Sequence, residues 1–139
     1  MPRWLVYSDG ASRGNPGPAG YGAWVQDQDS GEVAEVSGYL GVTSNNVAEY
    51  QGLLHGLQHA LDHRGGTVEV RADSQLLIRQ LEGRYQVKHP NLVPLYREAV
   101  SLLRRFDRWT AVHVPREQNR EADRLANRGI DDARGALRT

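Results

Sequence analysis

The amino-acid sequence predicts an α/β fold in which helices flank a mixed five-stranded sheet. The apolar pattern alternates between strand and helix periods in the order β-β-β-α-β-α-α-β-α. The fourth strand is reached through a long helix, which favours parallel pairing with the first strand. A length of 139 residues and an apolar content of 39% are typical of one soluble globular domain.

Three strand-like segments open the chain. The first is β-branched and aromatic and ends at Asp9-Gly10. Gly, Pro, Ser and Asn dominate the next ten residues, which we expect to form a loop. Two more strands with a polar turn between them complete an antiparallel meander. The predicted strands cover residues 3–8, 21–26 and 32–40, and the loop covers residues 11–20.

A long amphipathic helix follows the meander. Leu53, Leu57 and Leu61 repeat at helical spacing, and Asn46 is the predicted N-cap. We assign residues 1–132 to a single domain and residues 133–139 to a frayed C-terminal tail. The later elements are a strand over residues 67–72, helices over 74–81 and 92–106, a strand over 109–114 and a closing helix over 119–130.

Composition narrows the possible functions. The chain has no cysteine, which excludes disulfides and thiolate metal sites. No apolar run is long enough to cross a bilayer, and we expect a cytoplasmic protein. Residues 1–70 carry three basic and eight acidic residues, whereas residues 71–139 carry fourteen and nine. This asymmetry suits either an acidic pocket beside a basic face or a solvated basic helix pair.

Four acidic residues are predicted to converge on one edge of the sheet. Asp9 and Asp73 follow the first and fourth strands, whose carboxyl ends meet if the strands are parallel neighbours. Glu49 and Asp123 lie in the first turns of two helices that can point at the same edge. Because carboxylates in one pocket repel each other, cations must neutralise them. Hard oxygen ligands favour Mg²⁺ or Mn²⁺, and two such ions about 3.5–4 Å apart can hydrolyse a phosphodiester.

Each acid also has a structural interpretation, which the residues alone leave open. Asp9 precedes a glycine in a common turn pair, and Glu49 stands where a capping-box glutamate belongs. Asp73 can cap the helix that follows it, and Asp123 can pair with a neighbouring arginine.

Four segments of the sequence resemble the motifs of type 1 ribonucleases H. The match runs in order across residues 4–128, nearly the whole chain. The segments are YSDGASRGNPGPAGYG (residues 7–22), TSNNVAE (43–49), ADSQ (72–75) and VPREQNREADRLA (114–126).

The resemblance implies a strand order of 3-2-1-4-5 with one antiparallel strand. It also implies cleavage of the RNA strand of an RNA–DNA hybrid, leaving 5′-phosphate and 3′-hydroxyl ends. We expect the protein to be a monomer. Two Mg²⁺ or Mn²⁺ ions would be held by Asp9, Glu49, Asp73 and Asp123, with Asp9 bridging both. By motif matching, the residues that touch the hybrid's minor groove are Asn15, Asn45, Asn46 and Gln75.

The sequence departs from many bacterial relatives in two places. The loop before the last aspartate lacks the usual mobile histidine. His113 lies in the preceding strand, and Arg116 is the candidate for the corresponding space, where it can help product phosphate leave but cannot act as a general base. The basic helix that grips the hybrid also looks reduced. Three other arginines could contact the nucleic-acid backbone instead, or could simply form a solvated face: Arg104, Arg105 and Arg108.

Other functions are compatible with the same fold. A non-cleaving module could bind hybrids or duplex RNA, and a structural domain could share the architecture alone. The four acids argue against both, because a pure binder gains nothing from carboxylates beside phosphates. Related nucleases that cut DNA usually need additional domains, and we expect none within these 139 residues.

Overall fold

The computed structural model describes residues 2–138, with side chains described for residues 2–135. Five strands form one sheet in the order β3-β2-β1-β4-β5. Strand β2 is antiparallel to both neighbours, whereas β4 and β5 run parallel to β1, which confirms the predicted mixed sheet. The strands are β1 (Arg3–Ser12), β2 (Gly17–Asp27), β3 (Val33–Thr43), β4 (Thr67–Ala72) and β5 (Arg108–His113).

Helices cover both faces of the sheet. Helix α1 crosses β1 and β2 on the face that bears Val6, Ala23 and Val25, where α2 and α3 complete the main core. Helix α4 covers the other face, against β1, β2 and β3. The helices are α1 (Asn45–Asp62), α2 (Gln75–Leu81), α3 (Val93–Arg104) and α4 (Arg120–Arg138), with a short 3₁₀ turn at Arg116–Gln118.

The first two strands are longer than predicted. Strand β1 continues through Asp9 to Ser12, and β2 already begins at Gly17, so the expected ten-residue loop shrinks to residues 13–16. Gly14 lies in this short loop with a φ of 87°, but Gly10 and Gly20 are paired within the sheet, where Gly10 stands opposite Tyr21. Helices press on these strands and leave no room for side chains, so glycine there reports close packing and not a turn.

Helix α1 begins two residues earlier than predicted. The hydroxyl of Ser44 accepts a hydrogen bond from the N–H of Val47 at 3.2 Å, so Ser44 is the N-cap and the prediction of Asn46 was wrong. Both residue types cap helices well, and three such residues follow one another here, so propensity could not choose between them.

Helix α4 continues through Arg138, beyond the predicted end at residue 130 and into the segment expected to fray. Asp131 forms an ion pair with Arg13, and Arg128 forms one with Asp132, while no proline interrupts the segment. Residue 139 of the expected tail lies outside the described residues. Within residues 2–138, no helix is long and apolar enough to span a membrane.

Candidate active site

A cavity of about 550 Å³ opens where β4 ends beside the second half of β1. All four predicted acids line it, each from a different element. They are Asp9 of β1, Glu49 of α1, Asp73 after β4 and Asp123 of α4. The structure therefore brings together the acidic constellation that the sequence placed on one sheet edge.

Close backbone contact places Glu49 beside Asp9. A Cβ at Gly10 would lie 2.1 Å from the carbonyl carbon of Ala48, and one at Gly52 would lie 2.4 Å from the carbonyl oxygen of Asp9. Only glycine allows α1 to approach β1 this closely. Because Glu49 lies between these two contacts, its carboxylate is held against the same strand that carries Asp9.

Helix α4 is seated in a similar way and carries Asp123. A Cβ at Gly22 would lie 2.5 Å from backbone atoms of this helix. The buried Asn119, directly before α4, donates from Nδ2 to the carbonyl oxygen of Ser8 at 3.0 Å. Because Ser8 precedes Asp9, this hydrogen bond ties the start of α4 to the strand that holds the first acid.

Strand register brings Asp73 level with Asp9. Tyr7 of β1 pairs with Arg71 of the parallel strand β4, and each aspartate lies two residues further along its own chain segment. Asp73 is not the cap of α2, since the hydroxyl of Ser74 accepts a backbone N–H of that helix at 3.2 Å. The carboxylate of Asp73 is thus not used for capping.

The carboxylates at this edge repel each other electrostatically. Asp9 is only 8% exposed. Burial, followed by the negative charges of Asp73, Asp123 and Glu49, raises the pKa of Asp9 to about 8, although the hydrogen bond from the Gly10 N–H acts in the opposite direction. A carboxyl group with such a pKa strongly favours a proton or a cation as a neighbour.

Glu49 is in the same situation. It is 8% exposed, and burial raises the pKa of its carboxyl to about 7, although the Ser74 hydroxyl acts against this rise. Its Oε1 accepts a hydrogen bond from Asn45 Nδ2 at 3.0 Å. Glu49 is not a capping-box residue, because the N-cap is Ser44 and not Asn46.

Asp123 does not form the arginine pair that the sequence allowed. The neighbouring Arg124 turns away and pairs with Glu35 and Glu121. Asp123 instead lies half-buried, with the amide of Asn127 at its side. None of the four acids therefore has the turn, capping or arginine-pairing role that the sequence left open.

The donor chemistry of the cavity fits a hard divalent cation, because four carboxylate groups converge there and two of them have raised pKa values. In the described part of the chain, no three His, Asp or Glu side chains already stand in a closed ligand arrangement.

The predicted substrate residues divide into two groups. Asn15 Oδ1 accepts the backbone N–H of Asn45 at 3.1 Å, and Asn45 in turn contacts Glu49, so these two asparagines are tied to the acidic cavity. Of the four, Asn45 alone lines the cavity, because Asn15, Asn46 and Gln75 are exposed outside it, although Asn46 lines a small adjoining cleft with Glu49. An amide rim thus extends outward from the acids.

Arg116 also lines the cavity, on the 3₁₀ turn before α4, and its side chain is exposed. His113 ends β5 and is not among the lining residues. Of these two, Arg116 is the one that reaches the space beside the acids.

Sequence reasoning missed the lining residues Gly10, Ala11 and Ser12 next to Asp9, and three more distant ones: Arg13, Ser74 and Asn127. Ser74 follows Asp73 directly and could have been read as a cap. Asn127 lies four residues after Asp123, and therefore on the same helical face. Nothing in the local sequence signals Arg13, which reaches the site from the β1–β2 loop.

The arginines considered as alternative contacts lie elsewhere. Arg104, Arg105 and Arg108 surround the start of β5. Because β5 is parallel to β4, its start lies at the sheet edge opposite the cavity, roughly 20 Å away along a six-residue strand. A solvated face is the better description of this group.

The fold and the acidic cavity together define a ribonuclease H-like protein. The sequence model described as reverse transcriptase-like matches residues 7–129. The N-terminal RNase H domain of Rv2228c from Mycobacterium tuberculosis superposes with a TM-score of 0.93 at 44% identity, covering 99% of each chain. The chain belongs to the family of type 1 ribonucleases H.

Two further relatives place it within that family. Ribonuclease HI of Halobacterium salinarum is 46% identical over 128 residues, which cover 92% of this chain and 64% of that protein. LC11-RNase H1, solved in complex with an RNA/DNA hybrid, has a TM-score of 0.87 at 40% identity, with 94% of this chain and 98% of that one covered. The chain spans only 36% of the bifunctional protein Rv2228c, to which it is 47% identical.

Proposed function

We propose that this protein is an endoribonuclease that hydrolyses the RNA strand of RNA–DNA hybrids, leaving 5′-phosphate and 3′-hydroxyl ends. The observation that carries the proposal is the convergence of four carboxylates from four elements on one cavity, with a pKa of about 8 at Asp9. Such an arrangement is typical of a cation-binding site. Its occurrence in a type 1 ribonuclease H supports the substrate, since LC11-RNase H1 was solved with a hybrid.

Two Mg²⁺ or Mn²⁺ ions, when bound, would supply charge neutralisation and activation of the attacking water. Asp9, at the centre of the acidic group, would contribute to both ions. Glu49, oriented by the amide of Asn45, and Asp73 would complete one ion's ligands, and Asp123 the other's. The carboxyl groups must release their protons to bind, so binding is favoured by rising pH.

The amides around the cavity suit recognition of ribose. Each can both donate to and accept from a 2′-hydroxyl, the group that distinguishes RNA from DNA. Asn45 contacts Glu49 and its backbone N–H is held by Asn15, whereas Asn46 and Gln75 are exposed beside the cavity, along the expected path of the duplex. Arg116 would contact a phosphate and favour release of the product, in the space that a histidine occupies in many relatives.

The decisive test is cleavage of a labelled RNA–DNA hybrid beside duplex RNA and duplex DNA of the same sequence. We expect Mg²⁺- or Mn²⁺-dependent cutting of the hybrid's RNA strand alone, abolished by EDTA. Full activity in EDTA would refute the metal mechanism. Binding of the hybrid without any cutting would support the alternative, a non-cleaving module of the same fold. Sedimentation of the same sample tests the expected monomer.

A further inference from the structure

A chain of polar contacts connects the β1–β2 loop to one of the four acids. Arg13 Nη1 lies 2.7 Å from Asp131 Oδ1, and Arg13 Nη2 donates to Asn127 Oδ1 at 3.2 Å. Asn127 Nδ2 donates to the carbonyl oxygen of Asp123 at 3.0 Å and lies 3.4 Å from its Oδ1. Arg13 and Asn127 both line the acidic cavity with Asp123.

The helix supplies the spacing for this chain. Asp123, Asn127 and Asp131 are four residues apart and therefore share one face of α4. Arg13 approaches that face from the loop, where it joins the two later residues. The ion pair with Asp131 thus connects α4 to the β1–β2 loop one residue past the predicted end of the helix.

The residue types suit only one orientation of the central amide. A guanidinium can only donate hydrogen bonds, and an ionised carboxylate can only accept them. Asn127 must therefore turn its oxygen to Arg13 and its nitrogen to Asp123, as the contacts show. An alanine would leave both neighbours without this link, and an aspartate would place a second carboxylate beside Asp123.

We propose that Arg13 and Asn127 form a positioning relay that holds the carboxylate of Asp123 toward the cavity for cation binding. The inference rests on the proposed metal-dependent function. In this relay Asp131 fixes Arg13, Arg13 fixes the amide of Asn127, and the amide limits the rotation of Asp123. Outer contacts of this kind commonly change metal affinity without touching the metal.

Mn²⁺ binding by calorimetry tests the relay without reference to catalysis. We expect Asn127→Ala and Arg13→Ala each to weaken binding by about tenfold, within the range usual for outer contacts of metal ligands. The double variant should be no weaker than Asn127→Ala, because Arg13 acts through that amide. Arg13→Lys, which keeps a donor, should recover part of the affinity.

The matched control is Arg128→Ala, the next position on α4, whose side chain pairs with Asp132 at 3.5 Å. It should bind Mn²⁺ as the parent does. Thermal unfolding of all variants separates a general loss of stability from a loss of positioning.

Parent-like Mn²⁺ affinity in Asn127→Ala would overturn the relay, as would additive effects in the double variant. A higher KM for the hybrid in Arg13→Ala, at unchanged Mn²⁺ affinity, would also overturn the relay. It would make Arg13 a substrate contact. If the parent binds Mn²⁺ but cuts no hybrid, the proposed function fails while the relay is still judged by binding. A parent that binds no Mn²⁺ contradicts both.

Discussion

The two ends of the sheet both carry an open cavity with several acids, yet their electrostatics are opposite. At the amino end of β1, the cavity is the larger, about 720 Å³, and is bordered by Asp27, Asp29 and His59. Two of its three acids have partners within the fold, and the third, Glu32, is exposed to solvent. Asp27 accepts backbone N–H groups of Asp29 and Ser30, which lowers the pKa of Asp27 below its ordinary value, and Asp29 pairs with Arg3 at 3.0 Å.

At the other end the cavity is smaller, about 550 Å³, but its acids are buried against each other and Asp9 has a pKa of about 8. Size therefore does not identify the functional end of this molecule. What distinguishes the two ends is whether the fold itself neutralises its charges. Unneutralised charge that folding tolerates at a cost points to a ligand that will neutralise it.

Removing one acid from each end should separate their roles most strongly in catalysis. Asp9→Asn is expected to lower the rate of hybrid cleavage by at least about 10³-fold, since it removes about 4 kcal/mol of transition-state stabilisation. Asp27→Asn is the matched control and should retain the parent's rate. An Asp9→Asn protein as active as the parent would remove the acidic cavity from the mechanism.

The same pair of variants should have opposite effects on the stability of the metal-free protein. Because the folded-state pKa of Asp9 lies above its unfolded value of about 4, folding becomes less favourable as pH rises from about 4 to about 8. Asp9→Asn removes this penalty and should stabilise the protein at pH 8, on the order of a few kcal/mol, and by less at pH 5.

For Asp27 the sign is reversed. Its folded pKa is depressed, so its carboxylate contributes stability above the unfolded pKa that is lost as pH falls. Asp27→Asn should thus be less stable than the parent at pH 8. Urea unfolding in EDTA at both pH values measures both effects. Destabilisation of the metal-free protein by Asp9→Asn at pH 8 would contradict the assignment of repelling charge to the carboxyl end.

Much of the fold could be predicted from the sequence, because hydrophobic periodicity identifies the elements. The strand over residues 67–72 agrees with β4 residue for residue. Boundaries failed where one residue type serves two purposes. Gly10 was interpreted as the end of a strand and Gly20 as part of a loop, although both lie in paired strands beneath helices, because a sequence does not show whether a missing side chain serves a turn or a close contact.

The four acids could be placed on one edge from topology alone, but their chemistry could not be separated from capping. That separation needed the actual cap residues, Ser44 and Ser74, which leave Glu49 and Asp73 free of capping. Arg13 could not be found at all. It is distant in sequence from Asp123, and its contact depends on how far α4 extends past the predicted end.

The carboxyl end also depends on close packing of the helices that deliver its acids. Gly22→Ala places a Cβ 2.5 Å from backbone atoms of α4, and backbone cannot move aside as a flexible side chain can. We expect a loss of stability of roughly 1–3 kcal/mol, by analogy with overpacked cores, and weaker Mn²⁺ binding because α4 carries Asp123. Gly135→Ala on the same helix meets no atom within 4 Å and should be neutral or stabilising by up to about 1 kcal/mol. Chemical unfolding and calorimetry measure both variants. Equal stability of Gly22→Ala and Gly135→Ala would show that α4 shifts to accommodate the added methyl group. Its close contact with β2 would then not determine the position of Asp123.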